Sequence, residues 1–147
     1  FTIDMNDLGS ILLLRDDEHA CVKADLDRAL FSLTWKGPVP SGAWRRILVQ
    51  AHMQVLQHRL RSWISDSRQL GAILPDDEAW IMSDFTPRMV LAGLERMALV
   101  MGTDRLRRAA VDKLVEQAAP ITSFPVRFFL DPEQAVRWIV DGERTVA

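Results

Sequence analysis

The order in which two hydrophobic periodicities follow one another along the chain most constrains its fold. Near the N-terminal end, three short apolar segments are separated by short charged turns, and the second of them alternates apolar with polar residues as a strand with one solvated face does. These segments are residues 10–15, 19–25 and 29–35. Because such short connections join antiparallel neighbours, we predict that the sheet begins as an antiparallel meander.

Helical and strand patterns alternate through the rest of the chain. Several segments carry apolar residues at spacings of three and four, as amphipathic helices do. Their predicted starts lie at Ser41, Pro75, Thr103 and Asp131. Apolar segments short enough to be buried strands separate them, at residues 63–65, 96–101 and 126–130. Strands that alternate with helices imply parallel pairing with right-handed crossovers.

Together the two parts predict an α/β fold. We expect one domain over residues 1–147, with a mixed sheet in which an antiparallel meander is followed by parallel strands with crossover helices. Ser41 is expected to cap its helix, and Pro87 to interrupt the helix that begins near Pro75. In the helix after Thr103, the residues expected to face inward are Leu106, Ala110, Val111, Leu114 and Ala118. The polar tail over residues 142–147 is expected to fray.

Composition narrows the classes of function. The chain of 147 residues has a net charge of -2, so it lacks the basic excess with which proteins bind nucleic acids. Its longest apolar runs, such as residues 11–14, are far too short to cross a bilayer. Cys21 is the only cysteine and cannot form an internal disulfide, which favours a reducing cytoplasm. We therefore expect a cytoplasmic protein with no integral membrane segment and no nucleic-acid partner.

Five stretches, taken together in their order and spacing, resemble a known family. They are LTWKGPV at residues 33–39, SWISDSR at 62–68, PDDEAW at 75–80, TPRMVLAGLERMALV at 86–100 and RFFLDPEQAVRWI at 127–139. From about Leu30 to Val140, the chain resembles the STAS/SEC14-like families of small bacterial proteins, which are related in fold to the sporulation anti-anti-sigma factors. The resemblance implies a mixed sheet with helices packed on it, and implies little about activity.

The resemblance also bears on regulation. Anti-anti-sigma factors carry a phosphorylatable serine at the start of the helix that follows the strand corresponding to SWISDSR, and the added charge prevents docking to a partner. In this chain the corresponding residues 74–77 read Leu-Pro-Asp-Asp, without a hydroxyl group. The resemblance therefore implies a non-enzymatic regulatory or protein-interaction module that lacks the usual phospho-switch.

Five residues form the candidate ligand- or partner-binding site. They are Asp66, Arg68, Asp76, Asp77 and Trp80. In α/β sheets, ligands bind beyond the carboxyl ends of the strands, so we expect Asp66 and Arg68 at the same end of the sheet as Asp76. Trp80 would wall a groove or anchor a partner. The structural alternative is that Asp66 only pairs with an arginine in its loop, and that the two adjacent acids only oppose the helix dipole.

Patterns for catalysis or metal binding are absent from the sequence. The three histidines are too scattered for a compact metal site. Cys21 and His19 point to one face of a predicted strand, but nothing nearby orients them as a nucleophilic pair. Neither a glycine-rich phosphate loop nor a nucleophile elbow occurs. We therefore expect no cofactor, no metal and no enzymatic activity.

Two binding functions are open. The first is an interaction module that recognises a protein partner through the surface from Asp66 to Trp80. The second is a carrier of a small apolar ligand, in a groove under the helix of residues 76–92. An open apolar cavity below Trp80 and Met89 would favour the carrier, whereas a flat exposed patch would favour the interaction module. The Met-bearing segment 81–101 suits a groove, a homodimer interface or core packing, and the five tryptophans suit core packing.

Overall fold

The computed structural model describes residues 10–142, which form one sheet of six strands in the order β1-β2-β3-β4-β5-β6. The strands are β1 (Ile11–Asp16), β2 (Ala20–Asp25), β3 (Leu30–Trp35), β4 (Ser62–Asp66), β5 (Arg96–Val100) and β6 (Val126–Phe129). The first three strands pair in antiparallel fashion, and β3 to β6 are parallel. The predicted α/β fold with a mixed sheet is confirmed.

Helices connect the parallel strands, as parallel pairing requires. They are α1 (Ser41–Gln57), α2 (Pro75–Trp80), α3 (Thr86–Leu91), α4 (Arg105–Ala118) and α5 (Pro132–Asp141), with a π-helical turn (Ile81–Phe85) between α2 and α3. Helix α1 joins β3 to β4, the segment from α2 to α3 joins β4 to β5, α4 joins β5 to β6, and α5 follows β6. Among the described residues, no helix has the length and apolar character needed to span a membrane.

Capping by aspartate and proline explains where three of these helices begin. The Asp104 carboxylate accepts hydrogen bonds from the backbone N–H groups of Leu106 at 3.1 Å and Arg107 at 3.2 Å. Asp131 accepts one from the N–H of residue 134 at 2.9 Å, so both helix starts gain partners for otherwise unpaired donors. Pro75 stands in the first turn of α2, where its missing N–H costs no hydrogen bond.

Ser41 does not cap α1, contrary to the prediction. Pro40 occupies the N-cap position, and no side chain accepts from the free amides there. The Ser41 hydroxyl instead donates to Oδ1 of Asp77 at 2.7 Å. A carboxylate is a stronger acceptor than a neutral group and needs donors where it is buried, which favours this pairing. Ser41 therefore links α1 to the start of α2.

Pro87 does not interrupt its helix, again contrary to the prediction. The turn before it is π-helical, and the N–H of Thr86 donates to the carbonyl oxygen of Ile81, five residues back. This wider turn places Pro87 in the first turn of α3, a position at which a residue without an N–H is tolerated. A helical layer over residues 75–91 therefore runs unbroken above the sheet.

The sheet has two unequal faces. The face that we call the inner face packs against α1 and the helical layer over residues 75–91, and it contributes Phe31, Leu33 and Trp63 to the larger core cluster. On the opposite face, α5 packs over β4, β5 and β6 through Trp138. The predicted role of tryptophan in the core is confirmed at four positions: Trp35, Trp44, Trp63 and Trp138 are each at most 5% exposed.

Helix α4 turns all five predicted residues towards the sheet, but it packs closely against the core only at its C-terminal end. Leu114 and Ala118 are buried as expected, but Ala110 is exposed and Leu106 is 85% exposed. The N-terminal half of α4 instead stands away from the sheet, and a space is left beneath it.

The predicted tail lies almost entirely outside the described residues. Of residues 142–147, only Gly142 is described, and it is buried with a positive φ of 65°, which glycine adopts without strain. A side chain there would meet the guanidinium of Arg96. Arg96 donates to the carbonyl oxygens of Trp138 at 3.3 Å and Ile139 at 3.1 Å, so it caps the end of α5.

Candidate functional site: an apolar cavity

A cavity of about 290 Å³ lies between the inner face of the sheet and the helices. Its floor is formed by Trp63 and Ser65 of β4, Met97 and Leu99 of β5, and Val126 of β6. Side chains two residues apart on a strand share a face, and the register pairs Trp63 with Met97 and Met97 with Val126. The floor is therefore a continuous, largely apolar surface across three strands.

The helices form the roof of the cavity. Trp44 of α1, Phe85 of the π-helical turn, Met89 of α3 and Leu114 of α4 line it. The Phe85 ring lies 5.7 Å from that of Trp63 at an interplanar angle of 69°, an edge-to-face contact that holds roof and floor together. Apolar side chains thus enclose the cavity from both sides, and an apolar ligand would lose contact with water there.

The cavity opens between α4 and the loop of residues 67–74. Ala72 on this loop and Leu106 and Ala110 on α4 line the cavity, yet all three are exposed. No other described residue of the lining is exposed. These three residues therefore mark the mouth.

Two charged side chains line the cavity among the described residues, Arg107 and Glu78. Arg107 donates from Nη1 to the carbonyl oxygen of Arg68 at 3.3 Å, and from Nη2 to that of Ser67. Because Arg107 belongs to α4 and its acceptors belong to the loop over 67–74, its guanidinium spans the mouth. The cavity thus combines an apolar interior with one cation at its opening.

The predicted site residues Asp66 and Arg68 pair with each other outside the cavity. Arg68 donates from Nη2 to Oδ2 of Asp66 at 2.7 Å and from Nε to Oδ1 at 3.0 Å. This hydrogen bonding, with the charge of Asp66, raises the pKa of Arg68 above its ordinary value. Asp66 follows Ser65 on β4 and therefore points to the opposite face of the sheet. We call this pair the Asp66 cluster.

The other predicted site residues surround the first turn of α1. Asp77 is 4% exposed and accepts hydrogen bonds from Oγ of Ser41 and, at 2.6 Å, from Nε of Arg45. Asp76 is exposed and offers Arg45 only its carbonyl oxygen, at 3.1 Å. The Arg45 guanidinium lies 5.5 Å from the centre of the Trp80 ring, within the range of a cation–π contact. We call this group the Asp77 cluster.

Both clusters lie beyond the carboxyl ends of parallel strands, because α1 follows β3 and the loop over 67–74 follows β4. Over residues 10–142, however, no hydrogen bond or ion pair joins the Asp66 cluster to the Asp77 cluster. None of the five predicted residues lines the cavity, whereas their neighbours Ser67, Glu78 and Ile81 do. The part that the five play in binding stays a prediction.

Replacing Asp77 with alanine is expected to lower the free energy of unfolding by about 1–3 kcal/mol. The change removes a buried acceptor from the Ser41 hydroxyl and from the Arg45 guanidinium. Solvent limits the loss, because the Arg45 side chain is 35% exposed. Urea unfolding measures the difference from the unchanged protein.

The adjacent acid provides a matched control for that prediction. Asp76 lies in the same helical turn but is exposed, so Asp76→Ala is expected to change stability by about 0.5 kcal/mol or less. A double-mutant cycle with Arg45→Ala isolates the coupling between Asp77 and Arg45. Equal losses for Asp76→Ala and Asp77→Ala would show that both acids act only on the helix dipole.

The residues at the mouth were not among the predicted site residues. Their signal is RLRR at residues 105–108, which places arginines in the first turn of a helix, where acidic residues are favoured. Leu106, between them, was assigned to the core by its spacing alone. A helix start with basic residues against its dipole and an exposed leucine among them would have indicated a functional surface.

The remaining candidate groups for chemistry lie away from the cavity. Within the described part of the chain, no three His, Cys, Asp or Glu side chains are arranged to hold a metal ion. Cys21 is a half-buried free thiol on β2, and Nε2 of His19 lies 3.5 Å from a carboxylate oxygen of Glu18. Neither Cys21 nor His19 lines the cavity.

Comparison with known proteins does not identify a family. No family model, no curated protein and no solved structure matches the chain. The resemblance of residues 30–140 to the STAS/SEC14-like families therefore stays a prediction.

Proposed function

We propose that this protein binds a small apolar ligand in the cavity and does not transform it. The observation that carries the proposal is the open cavity lined by apolar side chains beneath the helical layer over residues 75–91, with Met89 on its wall. An open apolar cavity favours a carrier over an interaction module, although Trp80 does not line it as Met89 does. Met97 and Met101 line the same cavity, and flexible methionines adapt to ligands of varied shape.

The volume of the cavity sets the size of the ligand. A methylene group occupies about as much space as a water molecule in the liquid, roughly 30 Å³, so the cavity holds a chain of about ten methylenes. Burying each one contributes about 0.8 kcal/mol, and association costs about 4 kcal/mol or more. About ten buried methylenes contribute about 8 kcal/mol, so a chain that fills the cavity is expected to bind with a Kd of about 1 mM or weaker.

A series of linear alcohols from 1-hexanol to 1-dodecanol tests the proposal. Trp44 and Trp63 line the cavity, so tryptophan fluorescence reports occupancy, and isothermal titration calorimetry gives the affinity. Each pair of added methylenes is expected to strengthen binding by about tenfold, until the cavity is full near about ten carbons. Absence of binding, or affinity that rises with length without a limit, contradicts a cavity of this size.

We also propose that the chain is STAS/SEC14-like. The order of an antiparallel meander, parallel strands and crossover helices supports this assignment, as does the packing of helices on the sheet. Residues 74–77 lack a hydroxyl group, so the proposal includes no phospho-switch at that helix start.

An interaction module is the second candidate. Leu91 at the end of α3 is 87% exposed and Leu74 before α2 is 58% exposed, and apolar side chains of this kind are buried in interfaces. Native mass spectrometry of protein purified from its own host separates the two candidates. A co-purifying small molecule supports the carrier, whereas a homodimer or a stable protein partner without one supports the interaction module.

A further inference from the structure

We propose that the ligand is a single-chain amphiphile with an anionic head group, and that Arg107 holds this head group at the mouth of the cavity. The inference rests on the proposed function and adds the chemical class of the ligand. It combines three features: an apolar interior, room for one chain of about ten methylenes, and a cation that lies where the chain would emerge into solvent.

The hydrogen bonds of Arg107 leave donors for a ligand. A guanidinium has five N–H groups in a planar fork, and two nitrogens of Arg107 donate to backbone carbonyl oxygens of Ser67 and Arg68. These two contacts fix the side chain across the mouth without neutralising it. The remaining N–H groups are suited to a carboxylate or phosphate, with which guanidinium groups form bidentate contacts.

Unlike Arg68 and Arg108, Arg107 has no carboxylate partner among the described residues. Arg68 pairs with Asp66 at 2.7 Å, and Nε of Arg108 lies 3.6 Å from a carboxylate oxygen of Asp112. Over residues 10–142, Arg107 forms no ion pair. An anion bound at the mouth would therefore meet a cation whose charge is not already compensated by a side chain.

The guanidinium, rather than the end of α4, is the group that would bind the anion. The Asp104 carboxylate already accepts the N–H groups of Leu106 and Arg107 at the helix start. That carboxylate would repel an anion placed on the helix axis. The side chain of Arg107 extends away from this cap to the loop over residues 67–74.

Glu78, the second charged residue of the cavity lining, provides an independent test of the role of charge. Glu78 lines the cavity and is half-buried, and its carboxylate would repel an anionic head group. Removing that charge with Glu78→Gln is expected to increase the affinity for an anionic amphiphile. Opposite responses at Arg107 and Glu78 would identify charge, rather than loss of packing, as the cause.

The test compares decanoate, 1-decanol and acetate by isothermal titration calorimetry at neutral pH. Decanoate is expected to bind about tenfold more tightly than decanol, a difference of ~1.4 kcal/mol, and acetate to show no measurable binding. In Arg107→Gln, the ratio of the decanoate affinity to the decanol affinity is expected to fall to about one, whereas Arg107→Lys keeps most of the preference because it keeps the charge. Arg105→Gln, an exposed residue outside the cavity lining, serves as the control for general attraction of anions.

Each outcome separates this inference from the proposed function. Decanol that binds as tightly as decanoate, or an Arg107→Gln variant that keeps the preference, overturns the inference and leaves the apolar-ligand proposal in place. An equal loss of preference in Arg105→Gln also overturns it, because the attraction would then be a property of the whole surface. If neither decanol nor decanoate binds, both proposals fail.

Discussion

Replacing Ala110 with tryptophan is expected to weaken the binding of 1-decanol by about tenfold or more, since losing the burial of two methylenes already has this effect. Ala110 lines the mouth of the cavity on α4 and is exposed. An indole ring at this position can fill the opening and pack against its apolar walls. Because alanine contributes little to the core here, the substitution is expected to block the cavity without unfolding the protein.

The neighbouring residue gives the control. Ala109 is also an exposed alanine of α4, but it does not line the cavity. Ala109→Trp is expected to change the decanol affinity by about twofold or less, as other surface substitutions do. Calorimetric titration measures the decanol affinity of both variants, and thermal unfolding confirms that each is folded. Unchanged affinity in Ala110→Trp would mean that decanol binds somewhere other than this cavity.

Most of the fold could be predicted because its signals are local. The alternation of Ala20, Val22 and Ala24 with polar residues indicates a strand whether or not its neighbours are known. Asp104 and Asp131 cap helices through backbone groups two or three residues away. Antiparallel pairing of the first strands and parallel pairing of the later ones then follow from short turns and helical crossovers. None of these inferences requires a distance between elements that are remote in sequence.

The cavity could not be predicted because it depends on how elements are spaced. Alternation along β4 shows that Trp63 and Ser65 lie on one face of the sheet and Asp66 on the other. It does not show which of the two faces borders a cavity. Asp66 was predicted as a site residue because it is charged, whereas the adjacent Ser65 lines the cavity. The exposure of Leu106 likewise depends on how closely α4 approaches the sheet, and spacing along one helix carries no information about that distance.

Pro87 and Ser41 illustrate a related limit. Proline breaks most helices and serine caps many, so both predictions followed the usual local preference. The π-helical turn gives Pro87 a position that it can occupy within a helix. The buried carboxylate of Asp77 gives Ser41 an alternative hydrogen-bond partner. Such alternatives come from tertiary structure, and they override local preference where the energies are comparable.

Trp63→Ala is expected to lower the free energy of unfolding by about 3–5 kcal/mol, as large-to-small changes of buried tryptophan do. Trp63 is 1% exposed, its ring lies 4.4 Å from that of Phe31, and its Nε1 donates to Oγ of Ser65. The substitution removes all of these contacts and leaves the Ser65 hydroxyl without its donor. Urea unfolding measures the loss of stability. A change below about 1 kcal/mol would contradict the burial of Trp63 in the core.

Trp138→Ala is the control for Trp63→Ala, because it removes core packing without enlarging the cavity. Trp138 is 2% exposed and belongs to the smaller core cluster under α5, on the opposite face of the sheet, so its removal destabilises the protein but leaves the cavity unchanged. Trp63→Ala removes part of the cavity floor and should admit a longer chain. A ligand stabilises the folded state according to its concentration relative to Kd. We therefore expect 1-dodecanol to raise the stability of Trp63→Ala more than that of Trp138→Ala, and equal stabilisation would show that Trp63 does not bound the ligand site.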